Sequence, residues 1–233
     1  MDIVIRLPRP YDKQKEILKD NTRFKVLCLG RRSGKTTLLA IHIILSMFKN
    51  KRVCLITPEY GLGEKLFLDI LNYIPEEAFK SKNKSKLNCQ LLTGGTLNVF
   101  SGEALHRVRG YEFDELCIDE AAWINDLESE WNLSLRPLLL KTRGNAIFTS
   151  TPRGKNFFYS LFQKGINGED GFKSWSFSTH MNPHIPKDEL ELLISTMPEA
   201  NYRQEILAIP SENVANPFGT DAITKGTLID LSD

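Results

Sequence analysis

Apolar runs of strand length alternate with stretches of helical periodicity along most of this chain. That alternation predicts an α/β fold in which helices cover both faces of a central, mainly parallel sheet. The predicted strands lie at 24–29, 52–56, 90–92, 96–100, 115–119, 146–150 and 173–178. A short helix is predicted to end at Lys19, and the long predicted helices lie at 37–49, 63–74 and 131–140. Thr93-Gly94-Gly95-Thr96 predicts a hairpin turn between two short strands.

The periodic pattern changes after residue 180. Asn182-Pro183-His184-Ile185-Pro186 interrupts it, and two short helices are predicted beyond, at 187–195 and 199–207. The segment after these helices has no strong periodicity. The pattern therefore predicts a core over 1–180 and a small helical subdomain with a tail over 181–233.

Composition is that of an ordinary globular protein, with 41% hydrophobic and 25% charged residues in a chain of 233. A formal net charge of +1 provides no global attraction for nucleic acid, so contacts with it would depend on local patches. Candidates are a basic loop at 80–86, together with Arg153 and Lys155, although most such charges are simply solvated surface.

The four cysteines are widely spaced and form no CxxC pair. They are expected to be reduced and buried, as in a cytoplasmic protein. The N-terminus has no signal-peptide pattern, and the longest apolar stretch, at 38–48, is too short to span a bilayer. We therefore expect no membrane contact.

The segment Gly30-Arg31-Arg32-Ser33-Gly34-Lys35-Thr36-Thr37 carries the clearest chemistry in the chain. It lies between a predicted strand and a predicted helix, where backbone N–H groups and a helix N-terminus can cradle a polyphosphate. Lys35 is expected to reach the β- and γ-phosphates, and the Thr36 hydroxyl is expected to ligate Mg²⁺. The spacing departs from G-x-x-x-x-G-K-[ST], because Leu29 occupies the first glycine position and Gly30 follows one position late.

Two adjacent acids, Asp119 and Glu120, end the apolar strand predicted at 115–119. In a phosphate-loop ATPase the first acid holds Mg²⁺ through its water shell, and the second orients and deprotonates the attacking water. Acids also end strands as simple helix caps, so the pair alone is weak evidence. Together with the upstream phosphate loop, it predicts hydrolysis of Mg-ATP.

Two further groups of residues fit the same site. Tyr11 and Gln14 precede the loop, where an aromatic ring would stack on adenine and an amide would hydrogen bond to its edge. A packed tyrosine and a surface glutamine are the alternative. Thr149-Ser150-Thr151-Pro152 ends the strand at 146–150, where hydroxyls would sense the γ-phosphate; a hydroxyl-rich turn is the alternative there.

In order and spacing, these motifs resemble the ATPase domain of large terminase subunits, the DNA-packaging motors of tailed bacteriophages. A glycine shifted by one position is typical of that family. The resemblance extends from about residue 8 to about residue 210, and it implies a P-loop NTPase fold of the ASCE type with a small helical lid or linker subdomain. Four further segments carry it: Thr57-Pro58-Glu59-Tyr60, Arg109-Gly110-Tyr111-Glu112-Phe113-Asp114, Ile118-Asp119-Glu120-Ala121-Ala122 and Ser150-Thr151-Pro152-Arg153-Gly154.

The resemblance implies roles for individual residues. Glu120 would be the catalytic carboxylate, and Arg31 or Arg32 would contact the γ-phosphate. Arg109 matches the residue proposed in related motors as an arginine finger acting in trans, although an ion pair with a neighbouring acid (Glu103, Glu112 or Asp114) is the alternative. ATP and Mg²⁺ would be bound by Lys35, Thr36 and Asp119, and Ser150-Thr151-Pro152 matches the motif that couples hydrolysis to movement.

The resemblance also implies partners: double-stranded DNA, the capsid portal protein, the small terminase subunit and further copies of the chain in a ring on the portal. The isolated chain would be monomeric, and the location would be the host cytoplasm. Full-length large terminase subunits carry a nuclease domain, for which a chain ending at Asp233 has no room. The alternatives are a helicase or other ASCE-type ATPase, and a nucleotide-binding scaffold without turnover.

Overall fold

The structure is a computed structural model that describes residues 4–210. The predicted tail after residue 210 lies outside the described residues. Each predicted strand forms within two residues of its expected bounds. The strands are β1 (Phe24–Leu29), β2 (Arg52–Thr57), β3 (Phe79–Asn83), β4 (Asn88–Leu91), β5 (Thr96–Ser101), β6 (Glu115–Ile118), β7 (Asn145–Ser150) and β8 (Phe172–Phe177). The helices are α1 (Asp12–Lys19), α2 (Lys35–Phe48), α3 (Tyr60–Tyr73), α4 (Leu127–Glu130), α5 (Phe157–Asn167), α6 (Lys187–Ser195) and α7 (Glu199–Asn201).

The eight strands form one sheet in the order β3-β4-β5-β2-β6-β7-β1-β8. The strands from β5 to β8 in that order are parallel, whereas β3 and β4 add an antiparallel hairpin at one edge. The hairpin turn predicted at Thr93–Thr96 therefore joins β4 to β5. Because β7 lies between β1 and β6, the carboxyl ends of these three strands meet at one edge of the sheet.

Helices cover both faces of the sheet, as predicted. One buried apolar cluster joins α1, α2 and α3 to the sheet, and a second joins the opposite face to α4, α5 and the 3₁₀ segment Gly102–Val108. Every residue of β1 is buried. All four cysteines are buried and unpaired, which confirms the prediction for them. Among residues 4–210, no helix combines the length and apolar character needed to cross a bilayer.

Three local predictions are wrong. The helix expected at 199–207 is α-helical only at α7 and continues as a π turn, Tyr202–Ile206. The basic loop expected at 80–86 contains most of β3, in which Lys82 pairs with Glu76 and lies over the ring of Phe79, 4.7 Å from its centroid. The continuous helix expected at 131–140 begins earlier, at α4, and continues as a π turn, Trp131–Leu135, and a 3₁₀ turn, Arg136–Leu139. Pro137 has no N–H to donate, so the α-helical hydrogen-bond ladder cannot run through it.

Candidate functional site

The segment from Gly30 to Gly34 forms a loop between β1 and α2 at the carboxyl edge of the sheet. Gly34 has a φ of 86°, a conformation that side chains disfavour, and a Cβ there would lie 2.7 Å from Gln14 Nε2. A Cβ on Gly30 would lie 2.5 Å from the carbonyl oxygen of Ile206. Gly30 is thus required because residues 179–208, the C-terminal segment of the described chain, pack on the loop. The requirement comes from this packing and not from the spacing of the phosphate-binding motif.

Lys35 begins α2 and is almost completely buried. Its Nζ donates to the carbonyl oxygen of Gly30 at 3.3 Å and lies 3.7 Å from Glu120 Oε1. The side chain therefore runs along the inside of the loop, with its ammonium group between the loop and the end of β6. That position suits a cation that has to contact phosphate oxygens held by the loop.

Asp119 directly follows β6, and its Oδ2 lies 3.5 Å from the hydroxyl of Thr36. The Thr149 hydroxyl and the Glu120 N–H donate to Oδ1 at 2.5 and 3.1 Å. Burial raises the pKa of Asp119 despite these donors and the charge of Lys35. A hydroxyl and a buried carboxylate at this separation fit two ligands of Mg²⁺, which usually takes few protein oxygens and completes its shell with phosphate and water.

Glu120 has a φ of 47°, in the left-handed region. This backbone turn separates the two acids, so that Glu120 Oε1 points toward Lys35 while Oε2 accepts a hydrogen bond from Ser150 Oγ at 3.2 Å. The Glu120 side chain remains 28% exposed, so water can reach it. A cavity of about 320 Å³ lies in front of the two acids, and Thr36, Thr37, Thr57 and Lys65 also line it.

The predicted coupling motif ends β7, which lies between the strand that precedes the loop and the strand that precedes the two acids. Because β7 separates β1 from β6, Ser150 is in direct contact with Glu120, and the neighbouring Thr149 is in contact with Asp119. Ser150 and Thr151 are buried, and Pro152 follows them at the end of the strand. The motif is therefore placed to respond to a change at either acid.

Tyr11 and Gln14 brace the loop. The Tyr11 hydroxyl donates to the Ser33 carbonyl oxygen at 2.8 Å, and burial raises the pKa of that phenol. Gln14 Nε2 donates to the Gly34 carbonyl oxygen at 3.1 Å, while its Oε1 accepts from the Tyr11 N–H at 3.2 Å. Both ends of the Gln14 amide are thus engaged by the protein, and adenine recognition by these two residues stays a prediction.

Arg31 and Arg32 are exposed and line a cavity of about 650 Å³ between the loop and α6. Two residues that sequence reasoning missed hold their backbone: Thr179 donates to the Arg31 carbonyl oxygen at 2.7 Å, and Asn182 to that of Arg32 at 2.8 Å. The Arg31 N–H donates to the Glu205 carbonyl oxygen at 2.6 Å. A γ-phosphate contact by either arginine stays a prediction.

Arg109 lies apart from these residues, on the crossover between β5 and β6, and it is exposed. The ion pair expected as the alternative does not form within residues 4–210: Glu112 pairs with Arg52 and Lys141, and Asp114 pairs with Arg52. Arg109 is also absent from the residues that line the cavity at Asp119. An action on a neighbouring copy fits this placement and stays a prediction.

A family model described as "Terminase large subunit, T4likevirus-type, N-terminal" matches residues 26–233. The terminase large subunit of Escherichia phage T5 is 28% identical over 191 residues, which are 78% of this chain and 43% of that protein. The terminase large subunit of Thermus virus P23-45 is 26% identical over 242 residues, covering 93% of this chain and 49% of that protein. The chain thus spans less than half the length of these relatives.

Solved structures show the same fold. The large terminase ATPase domain of Thermus phage P74-26 superimposes with a TM-score of 0.75 at 22% identity, covering 87% of this chain and 94% of that one. The large terminase of a thermophilic bacteriophage in complex with ATP-gamma-S gives 0.69 at 13% identity, covering 85% and 52%. The predicted ASCE-type P-loop fold is confirmed. Since the family model matches most of the sequence, the chain belongs to the N-terminal domain family of T4likevirus-type terminase large subunits.

Proposed function

We propose that this chain is the ATPase motor domain of a terminase large subunit and hydrolyses Mg-ATP to drive double-stranded DNA into a preformed capsid. The observation that carries the proposal is the Asp119-Glu120 pair, one acid beside the Thr36 hydroxyl and the other beside Lys35. Family membership supports it, as do the structures of the thermophilic bacteriophage large terminase with ATP-gamma-S and with ADP.

The chemistry follows from the positions of the side chains. The loop N–H groups, the N-terminus of α2 and Lys35 would hold the phosphates of ATP. Thr36 and Asp119 would hold Mg²⁺, which when bound neutralises charge on the phosphates. Glu120 orients a water in the cavity in front of it and accepts its proton, and the bond to Ser150 fixes the carboxylate for that task.

Coupling of ATP hydrolysis to the movement of DNA would require neighbouring copies of the chain. Arg109 would act on the site of an adjacent copy in a ring assembled on the portal protein, in the host cytoplasm, with the small terminase subunit as a further partner. Its exposure and its freedom from the expected acidic partners support this role. DNA contacts would be made by exposed basic groups and would weaken with salt.

The first test is Glu120→Gln, which keeps the shape of the side chain but removes its basicity. We expect turnover to fall by roughly 10²–10⁴-fold while the Kd for ADP stays the same, because the phosphate-binding groups are intact. Glu128→Gln, an equal charge change at an exposed residue of α4, is the control and should leave turnover unchanged. Normal turnover in Glu120→Gln would refute the assignment.

Mixing variants tests the ring. Arg109→Ala alone should also be slow, and mixing it with Glu120→Gln should restore part of the activity, because some interfaces then combine an intact Arg109 with an intact Glu120. Turnover should rise more than linearly with protein concentration. Linear dependence on concentration without rescue would contradict an action in trans.

A further inference from the structure

The backbone of Glu120 has a conformation that needs outside support. A residue other than glycine in the left-handed region is strained, and this conformation persists only where its surroundings hold it. Directly after Glu120 the chain makes a 3₁₀ turn, Ala121–Trp123, closed by a hydrogen bond from the Trp123 N–H to the Glu120 carbonyl oxygen at 2.9 Å. The orientation of the carboxylate therefore depends on how this turn is held.

Two side chains hold the turn at Ala122. The Ala122 N–H donates to Ser150 Oγ at 3.2 Å, and Asn156 Nδ2 donates to the Ala122 carbonyl oxygen at 2.9 Å. Ser150 in turn donates to Glu120 Oε2. The backbone of Ala122 is thus hydrogen bonded through its N–H group to Ser150 of β7 and through its carbonyl group to Asn156 at the start of α5.

Asn156 is itself fixed by a second bond. It is the N-cap residue of α5, and its Oδ1 accepts from the Tyr159 N–H at 3.2 Å. The amide can therefore adopt one orientation only, since a flipped amide would set oxygen against oxygen and N–H against N–H. Helix α5 packs against β1 and β8, so this anchor belongs to an element that is packed on the sheet.

We propose that Asn156 is a positioning residue for hydrolysis: through Ala122 it holds the turn that orients the carboxylate of Glu120. The inference rests on the proposed function, because it assumes that Glu120 acts on the attacking water. Asn156 does not line the cavity in front of Asp119 and Glu120, so its effect should fall on the chemical step and not on nucleotide binding.

The two hydrogen bonds of Asn156 can be separated by substitution. Asn156→Asp and Asn156→Ser both keep an oxygen that caps α5, because aspartate and serine are favoured N-caps. The aspartate carboxylate has no proton to donate to the Ala122 carbonyl oxygen, and the serine hydroxyl is one atom shorter than the amide that reaches it. Asn156→Ser keeps the cap and loses the bond to Ala122 without adding a charge. We expect kcat to fall roughly 10-fold in both variants, with KM for ATP and Kd for ADP within about twofold of the wild type. The melting temperature should change little.

Ser160→Ala is the matched control, because it removes a hydroxyl from the first turn of α5 that, within residues 4–210, donates only to the nearby Phe157 carbonyl oxygen. It should leave kcat unchanged. Unchanged kcat in both Asn156 variants would overturn the inference. A loss of activity that runs parallel to a loss of thermal stability would also overturn it, since Asn156 would then be only a helix cap.

Glu120→Gln and the wild type, measured alongside, separate this inference from the function on which it rests. If the wild type does not hydrolyse ATP, or Glu120→Gln hydrolyses it normally, the proposed function fails and the positioning role with it. If both behave as expected and the Asn156 variants are normal, only the positioning role fails.

Discussion

Glu115 begins β6, the strand that ends beside Asp119. Its side chain is nearly completely buried at the amino end of that strand, away from the candidate site. His42 of α2 lies 3.1 Å from its carboxylate, Lys51 also pairs with it, and Asn145 of β7 donates to it at 3.3 Å. Burial alone would raise the pKa of Glu115, but the hydrogen bonds and charges of His42 and Lys51 lower it to about 2. The residue is thus a buried anion that anchors the far end of the strand.

Replacing this anion should give a pH-dependent loss of stability. We expect Glu115→Gln to lower the free energy of unfolding by on the order of 3 kcal/mol at pH 7. Since the pKa is depressed on folding, the stabilisation is present above the ordinary value of 4.5 and is lost as the pH falls toward 2. The difference between wild type and variant should therefore shrink across that range in denaturant titrations.

Glu112→Gln is the control for that experiment, because its partners Lys141 and Arg52 form ion pairs at the surface. It should have a much smaller effect than Glu115→Gln. A difference between wild type and Glu115→Gln that stays constant down to pH 2 would show that the ionised carboxylate is not the source of the stability.

Residues of the site could be predicted where a contiguous motif fixes their spacing. Lys35 and Glu120 belong to such motifs, and the structure brings them within 3.7 Å of each other. The site contacts of Asn156 and Thr179 could not be predicted, because they span 34 and 148 positions and nothing in the local sequence indicates the distant partner. Gln14 shows a third case: its position is predicted, but its bonds to the loop backbone are not.

Elements of the core meet at close range where glycine permits it. Helix α5 lies against β8, and a Cβ on Gly165 would lie 2.7 Å from the backbone nitrogen of Ser174. Gly61, in the first turn of α3, has nothing within 4 Å of the equivalent position. Glycine is therefore required by close packing in α5, whereas in α3 there is space for a side chain.

This contrast gives a paired prediction. Gly165→Ala should lower the free energy of unfolding by about 2 kcal/mol or more, because the methyl group forces α5 away from backbone that cannot yield. Gly61→Ala should raise it by about 0.5 kcal/mol, because alanine favours the helix and meets open space. Thermal unfolding of both variants beside the wild type measures the difference, and equal shifts of the same sign would contradict the packing argument.

At the level of elements, the buried strands were predictable and the edges of the sheet were not. Strand β1 lies in the interior, so its whole sequence is apolar apart from Lys25 and its bounds agree with the prediction. Strand β3 is an edge strand without a fully buried residue, and its charges resemble those of a loop. Helix α5 was absent from the predicted elements, and its N-cap Asn156 was the local signal that could have found it.

At the scale of the whole molecule, the C-terminal segment packs directly on the phosphate loop. Besides the bond from Thr179 to the Arg31 carbonyl oxygen, Asn182 donates to the Arg32 carbonyl oxygen at 2.8 Å and the Arg31 N–H donates to the Glu205 carbonyl oxygen at 2.6 Å. Local propensity could not predict this arrangement, because it is a contact between distant parts of the chain. A change in the position of the loop would therefore alter its contacts with this segment.

Thr179→Val tests this connection with a side chain of the same shape. We expect the Kd for ADP to rise about fivefold, because the lost hydrogen bond leaves the loop less well ordered for phosphate. Ser195→Ala, which removes a hydroxyl bonded locally within α6, should leave the Kd unchanged. Isothermal titration calorimetry measures the Kd for ADP of both variants. An unaltered Kd in Thr179→Val would argue against the connection.

The buried cysteines have a practical consequence. Burial raises the pKa of the Cys28 and Cys89 thiols to about 12, and it raises the pKa of Cys54 and Cys117 as well. Protonated, inaccessible thiols react slowly with maleimides. A single cysteine introduced at exposed Ser195 would therefore accept one fluorophore or spin label without removal of the native four. Any displacement of α6 on addition of nucleotide could then be followed in an otherwise unaltered chain.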